Sequence, residues 1–198
     1  MSQTKKQGSL TIALLPSVIL YVSAIVLFAL TREDLGGTIH YWEVLVAVAA
    51  VISLLSGWGQ TYAANRSHLM YLIKQIIHWG LLLGVLYLFQ TQGITAALGD
   101  QKYTVVLLTL LSMTAIFAGL YIDFKALFFG AFMAICTYLL AAPANVSILE
   151  PIGKTLRIAD PQTKPLTMII VMGLIAFVAG ALVLISVRGS IMAKRNRA

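Results

Sequence analysis

The stretch MYLIKQIIHWGLLLG, from Met70 to Gly84, places a lysine, a glutamine and a histidine inside an otherwise apolar run. The whole run covers residues 69–89, which is close to the roughly 20 residues that a helix needs to cross a bilayer. Backbone groups find no hydrogen-bond partner in lipid, so a segment that crosses it must be helical. The stretch therefore predicts a membrane-spanning helix with polar groups in one half.

The composition of the whole chain also indicates that the protein is surrounded by lipid. The 198 residues are 60% hydrophobic and 11% charged, whereas about 25% of the residues in a soluble domain are charged. A soluble protein this apolar could not cover its surface with polar groups. We therefore expect an integral membrane protein whose chain forms a single domain, residues 1–198.

Five further apolar runs resemble the first in length. They predict an all-α fold, a compact bundle of six transmembrane helices joined by short loops. In the segment 148–158, apolar and polar residues alternate at roughly helical spacing, which predicts an amphipathic helix on the outer membrane surface, a lid over the bundle or an irregular loop. The six predicted spans are residues 9–30, 41–62, 69–89, 104–122, 126–146 and 166–187.

The basic residues predict the orientation. The chain has a formal net charge of +7, and Lys5, Lys6 and the segment 188–198 concentrate lysine and arginine beside apolar runs. By the positive-inside rule, both termini are expected in the cytoplasm of a bacterial cell, with the spans in its inner membrane. The basic residues are not interleaved with aromatic residues, so the sequence predicts no nucleic-acid partner.

The third predicted helix has two distinct faces. At 100° per residue, Tyr71, Lys74, Gln75 and His78 fall within about 100° of one another. A G-x-x-x-G pattern, Gly80 and Gly84, lies well away from them, at about 240° and 280° from Lys74. Glycines at this spacing favour close contact between membrane helices. The polar face is expected to meet protein or water.

His78 lies about 13 Å from the inner end of this helix, near the middle of the bilayer. An ionisable residue at this depth is a functional candidate. Two interpretations remain open. His78 serves a proton relay or contacts a ligand, or it is a neutral histidine that hydrogen-bonds to a neighbouring helix.

Two acidic residues are candidate partners of the polar face. Asp123 is expected at a depth that matches Lys74, although Lys125 competes for the same carboxylate. Glu43 is either a cation site, one half of a proton path with His78, or an interfacial carboxylate. The predicted intramembrane polar site comprises Lys74, His78, Gln75, Tyr71, Asp123 and Glu43.

Small and aromatic residues suggest how the helices pack. Ala49, Ser53 and Gly57 recur every four residues in the second helix and predict a close helix contact. Trp42 and Trp58 are expected near opposite membrane interfaces.

No cofactor or metal site is predicted. The single cysteine, Cys136, is expected to be an apolar filler. The three histidines fall at three different depths, which argues against a pair of haem ligands. Metalloprotease, hydrolase and nucleotide-binding motifs are absent from the sequence.

Three functions are compatible with these observations. The chain is a non-catalytic subunit or assembly factor of a larger membrane complex, which predicts partner subunits or self-association. Alternatively, it is a small transporter or channel for protons, ions or small solutes that uses the polar residues of the third helix. The third possibility is an intramembrane enzyme that acts on lipid or quinone.

Overall fold

The computed structural model describes residues 10–63, 68–141, 146–158 and 164–195. Within these ranges the chain forms eight helices and no strand, which confirms the all-α prediction. The helices, in chain order, are α1 Leu10–Glu33, α2 Ile39–Ala63, α3 His68–Thr91, α4 Ile94–Leu98, α5 Asp100–Tyr121, α6 Lys125–Ala141, α7 Val146–Thr155 and α8 Pro165–Arg195.

Among the residues whose side chains the structure describes, four helices are long and apolar enough to cross a membrane, and they lie in α1, α3, α5 and α8. The part of α2 so described, Ile39–Leu55, is also apolar, although α2 itself has 25 residues. The helix α6 is apolar and shorter. The 17 residues of α6 span about 26 Å, less than the roughly 30 Å hydrocarbon core. The predicted span 126–146 begins one residue after the start of α6, and its end crosses residues 142–145, which lie outside the described residues.

The short helix α4 was not predicted. It is bounded by Gly93 and Gly99, whose φ angles are 70° and 72°. This left-handed region favours glycine, so the two residues allow the chain to turn sharply between α3 and α5.

The contacts between helices give the bundle two opposite ends. In the middle, α2 packs against α1 and α5, and α6 packs against α5 and α1. One end is α3, which lies against α2 and α5, and the other is α8, which lies against α1 and α6.

The α5–α6 hairpin connects the two ends through glycine contacts. A Cβ on Gly130 would lie 2.5 Å from the backbone nitrogen of Ile116, and a Cβ on Gly119 would overlap the backbone of Leu127. Glycine is required at both positions because the two backbones touch there. The turn between the helices is closed by Asp123, whose carboxylate lies 3.2 Å from the Lys125 ammonium.

Aromatic side chains fill the space between α1 and α6. Tyr21 meets Phe129 edge to face with ring centroids 5.3 Å apart, and Phe28 meets Phe132 in the same way at 6.0 Å. Edge-to-face pairs of this kind add to the packing energy of the rings.

Candidate functional site on the third helix

The helix α3 turns one face toward α2 and α5 and the opposite face outward. Its buried residues are Tyr71, Gln75, Trp79, Leu82 and Leu86, which recur at the three- and four-residue spacing of one helix face. Two of the six predicted site residues, Tyr71 and Gln75, are therefore in the protein interior.

Tyr71 and Gln75 form a hydrogen-bonded network with Ser53 of α2. The Tyr71 hydroxyl donates to the Ser53 carbonyl at 2.8 Å, and the Gln75 amide donates to the Tyr71 hydroxyl at 2.8 Å. The same amide lies 3.1 Å from the Ser53 hydroxyl. In an apolar environment each unpaired polar group would be costly, so the network stabilises α3 against α2.

His78 links α3 to α5. Its Nε2 lies 2.9 Å from the carbonyl oxygen of Thr114. A carbonyl can only accept, so Nε2 carries the hydrogen. The imidazole also meets the Trp79 ring edge to face, with centroids 5.7 Å apart. This geometry matches the interpretation of His78 as a histidine that hydrogen-bonds across helices.

Lys74 and Asp123 are not brought together. The Lys74 side chain is exposed at the border of the outward face of α3, and no ion pair of Lys74 occurs among the described residues. Asp123 instead pairs with Lys125, the competitor recognised in the sequence. The reason is local: the two residues share one tight turn, so little chain entropy is lost when they meet.

Glu43, on α2, lies beside the C-terminal end of α3. There it contacts residues that the sequence did not indicate. Its Oε1 accepts hydrogen bonds from the Gln90 amide and the Tyr103 hydroxyl, each at 3.1 Å. Its Oε2 lies 3.3 Å from Nδ1 of His40. One carboxylate thus joins α2, α3 and α5. No sequence motif signals Gln90 or Tyr103, since each comes from a different helix.

Glu43 and His78 are separated along the bundle. Gln90, which contacts Glu43, lies twelve residues after His78 on α3, or about 18 Å along the helix axis. The two groups predicted as halves of one proton path therefore belong to two separate clusters.

The predicted packing glycines have different surroundings. Gly80 and Gly84 are exposed, and a Cβ on either would find no atom within 4 Å. The contact that their spacing predicts is therefore not made by the part of the chain that the structure describes. By contrast, Ala49 is buried and Ser53 contacts α3, as expected of the small-residue face of α2. Gly57 lies on α2, but its surroundings fall outside the described residues.

Trp42, in the first turn of α2, is completely buried in the core. Its indole N–H donates to the Thr31 hydroxyl at 2.7 Å, and that hydroxyl donates to the Leu27 carbonyl. Thr38 adds a hydroxyl contact of 2.8 Å to Thr31. This buried cluster satisfies the indole and joins α1 to α2, which explains why tryptophan is tolerated there. The surroundings of Trp58 fall outside the described residues.

Chemically, these clusters hold helices together by hydrogen bonds. Within the described part of the chain, no group of three or more histidine, cysteine or acidic residues could hold a metal ion. Cys136 is fully buried in α6.

Comparison of the chain with protein-family models, curated proteins and solved structures found no match.

Proposed function

We propose that this chain is a non-catalytic subunit or assembly factor of a larger membrane complex, and that a partner helix packs on the outward face of α3. The observation that carries the proposal is the exposure of Gly80 and Gly84, with open space where a Cβ would lie. The two glycines lie about 140° to 180° around the helix from Gln75, opposite the face that this chain itself covers.

This outward face has the shape that a second membrane helix needs. Glycines four residues apart form a shallow groove in which the backbone of another helix can approach closely. Ile73 and Ile77, both exposed, flank the groove and supply the larger side chains that a partner would contact. Because lipid gives helices no hydrophobic reason to associate, such close packing is the main source of affinity.

Lys74 adds a charge to the edge of this face. It lies six residues after the start of α3, or about 9 Å along the axis. Its ammonium can reach the membrane surface or meet a carboxylate or carbonyl of the partner. Either partner satisfies the charge without an acidic residue from this chain.

The proposal includes the position of the chain in the membrane. We place the six apolar helices α1, α2, α3, α5, α6 and α8 across the inner membrane of a bacterial cell. Both termini then lie in the cytoplasm, as the basic residues favour. Although α6 is short, its 17 residues are at the lower limit of known spans, roughly 17–25 residues.

The test is co-purification of the full-length protein from membranes in a mild detergent. We expect wild type to retain a partner at fixed stoichiometry, either another membrane protein or a second copy. The variant Gly80→Ile/Gly84→Ile should lose that partner at least tenfold, because the new side chains fill the groove. The matched control is Ala47→Ile, which enlarges an exposed small residue of α2.

The same purification decides between the subunit and the transporter. Helical content should be unchanged in both variants, since the altered positions are exposed and a Cβ on Gly80 or Gly84 has no described atom within 4 Å. If wild type is monomeric and moves protons or ions in liposomes, and His78→Ala abolishes that flux, the subunit proposal is wrong and the transporter is correct.

A further inference from the structure

A second feature lies at the opposite end of the bundle. An open groove with a volume of about 500 Å³ runs between α6 and α8, and α7 forms its third wall. Thr155 is the single polar side chain of its lining. The space exists because small side chains, among them Ala131 and Ala176, line both long helices. Phe132 and Met172, both buried, form its floor.

The dimensions of the groove suit an alkyl chain. Its lining on α8 extends from Met172 to Ala179, or about 10 Å along the helix axis. The groove is open on one side, and exposed apolar residues such as Ile135 and Ile175 form its rim. A ligand that enters it therefore needs an apolar body and arrives from the side of the bundle, where lipid is the expected solvent.

The third wall, α7, is amphipathic. Ile152 and Leu156 pack toward the core and line the groove, whereas Lys154 and Arg157 are exposed. This pattern is typical of helices that lie at the surface of a membrane, with the cations at the level of the lipid headgroups.

A defined turn fixes the basic end of α7. Arg157 has a φ of 53°, in the left-handed region that residues other than glycine rarely adopt. The Ile158 amide donates to the Gly153 carbonyl at 2.9 Å, and the Arg157 amide donates to the Lys154 carbonyl at 3.2 Å. These two bonds are those of a Schellman motif, so the helix ends beside the groove rather than running past it.

The charge at this end is positive. Lys154 and Arg157 are the chain neighbours of the lining residues Thr155 and Leu156, and Lys164 directly precedes α8; all three cations are exposed. The exposed acid of the segment 146–158 is Glu150, one turn before Lys154. Cations in excess next to an apolar groove complement a ligand with an anionic head and a hydrocarbon tail.

We infer that the groove between α6, α7 and α8 is a binding site for an anionic phospholipid. One acyl chain lies against Phe132 and Met172, and the headgroup phosphate contacts Lys154 and Arg157. The site is separate from the outward face of α3. It requires that α6 and α8 contact lipid, and it does not depend on whether α3 binds a partner.

The test is native mass spectrometry of the full-length protein in mild detergent. Phosphatidylglycerol and phosphatidylcholine with identical acyl chains are added at equal concentration. We expect wild type to retain one phosphatidylglycerol at least fivefold more than phosphatidylcholine. Ala176→Phe, which fills the groove, should reduce retention of both lipids. Lys154→Glu/Arg157→Glu should reduce phosphatidylglycerol to the level of phosphatidylcholine.

Matched variants separate the site from general effects. Ala47→Phe enlarges an exposed alanine of α2, and Arg32→Glu/Lys102→Glu reverses two other exposed cations. Both controls should retain lipid as wild type does. If Ala176→Phe fails to fold, as judged by circular dichroism, Ala131→Phe fills the groove from α6 instead.

Three results would overturn the inference. Wild type retains the two lipids equally, the folded groove-filling variant retains them as well as wild type, or the control charge reversal lowers phosphatidylglycerol as much as the reversal on α7.

Discussion

The two ends of the bundle are held by different forces. On α3, the side chains that meet the rest of the protein include Gln75, Tyr71 and His78, and each makes a hydrogen bond to α2 or α5. On α8, the contacts are apolar: buried Met168 and Ile169 lie in its first turns. In the part of α8 whose side chains the structure describes, residues 165–186, no side chain makes a hydrogen bond. Helix association in lipid can thus rest on directional bonds or on shape alone, and one chain uses both.

The two ends of the bundle also differ in the surface that each leaves uncovered. The bonds of α3 leave a glycine face outward, whereas the small side chains between α6 and α8 leave a groove. We propose a helix for the first surface and a lipid for the second. The variants below test the forces behind this difference, and their effects can be compared by unfolding in mixed micelles of rising dodecyl sulfate content, followed by circular dichroism.

The largest effect is expected in the hairpin that joins the two ends. Gly130→Val places a side chain where the backbone of Ile116 lies, so α5 and α6 must separate. We expect a loss of about 3 kcal/mol or failure to fold, at the upper limit of overpacking costs. Gly80→Val is the control, because a Cβ at this position has no described atom within 4 Å. Equal losses in both variants would contradict the close contact.

The next effect tests the apolar end. Met168→Ala removes a completely buried side chain of α8 and should cost about 2 kcal/mol, at the low end for buried methionine. The low value is expected because lipid solvates the side chain nearly as well as the core does. Leu174→Ala, at an exposed position of the same helix, should leave the unfolding free energy unchanged.

At the hydrogen-bonded end, Gln75→Leu keeps the approximate volume and removes the bonds to Ser53 and Tyr71. We expect a loss of about 1 kcal/mol, since single interhelical bonds in membranes contribute about 0.6 kcal/mol on average. The neighbouring variant Lys74→Leu should have no measurable effect. If Gln75→Leu lowered the free energy of unfolding more than Met168→Ala does, the hydrogen-bonded end would contribute more than the apolar end, contrary to expectation.

The smallest effect concerns the ion pair of the α5–α6 turn. In a double-mutant cycle, Asp123→Asn and Lys125→Gln should show a coupling energy of about 0.5–1 kcal/mol, at the low end of the range for groups in direct contact. The value is low because the two side chains are only 11% and 13% exposed, so the loss of hydration offsets much of their attraction. The cycle between Asp123→Asn and Lys74→Gln should show none. A measurable coupling energy between Asp123 and Lys74 would instead support the Lys74–Asp123 ion pair that the sequence suggested.

Much of the architecture could be predicted from the sequence because lipid permits few solutions. Apolar runs of sufficient length must be helices, and four of the six predicted spans begin and end within four residues of the observed helices, a normal error for boundaries. The span 166–187 stops eight residues before the end of α8, because basic residues begin to interrupt the apolar run there. The end of the span 126–146 crosses residues 142–145, which lie outside the described part of the chain. The short α4 was missed because five residues carry too little periodicity.

The site was predictable only in part. Helical spacing placed Tyr71, Gln75 and His78 on one face, but not their partners. Ser53, Thr114 and Tyr103 come from other helices, and their contacts depend on how the helices rotate. Depth in the membrane suggested Lys74 as the ion-pair partner of Asp123, whereas proximity in the sequence favours Lys125. Gly130 was not recognised as a contact because no second glycine at four-residue spacing marks it.

The most direct test of the central claim is photocross-linking in intact membranes. A photoreactive side chain is placed at Ile77, beside the outward glycines of α3, and in a second protein at Leu174, on the exposed side of α8. The account predicts a discrete protein adduct from position 77, abolished by Gly80→Ile/Gly84→Ile, and only lipid adducts from position 174. Lipid adducts alone from both positions would contradict the claim that α3 binds a partner.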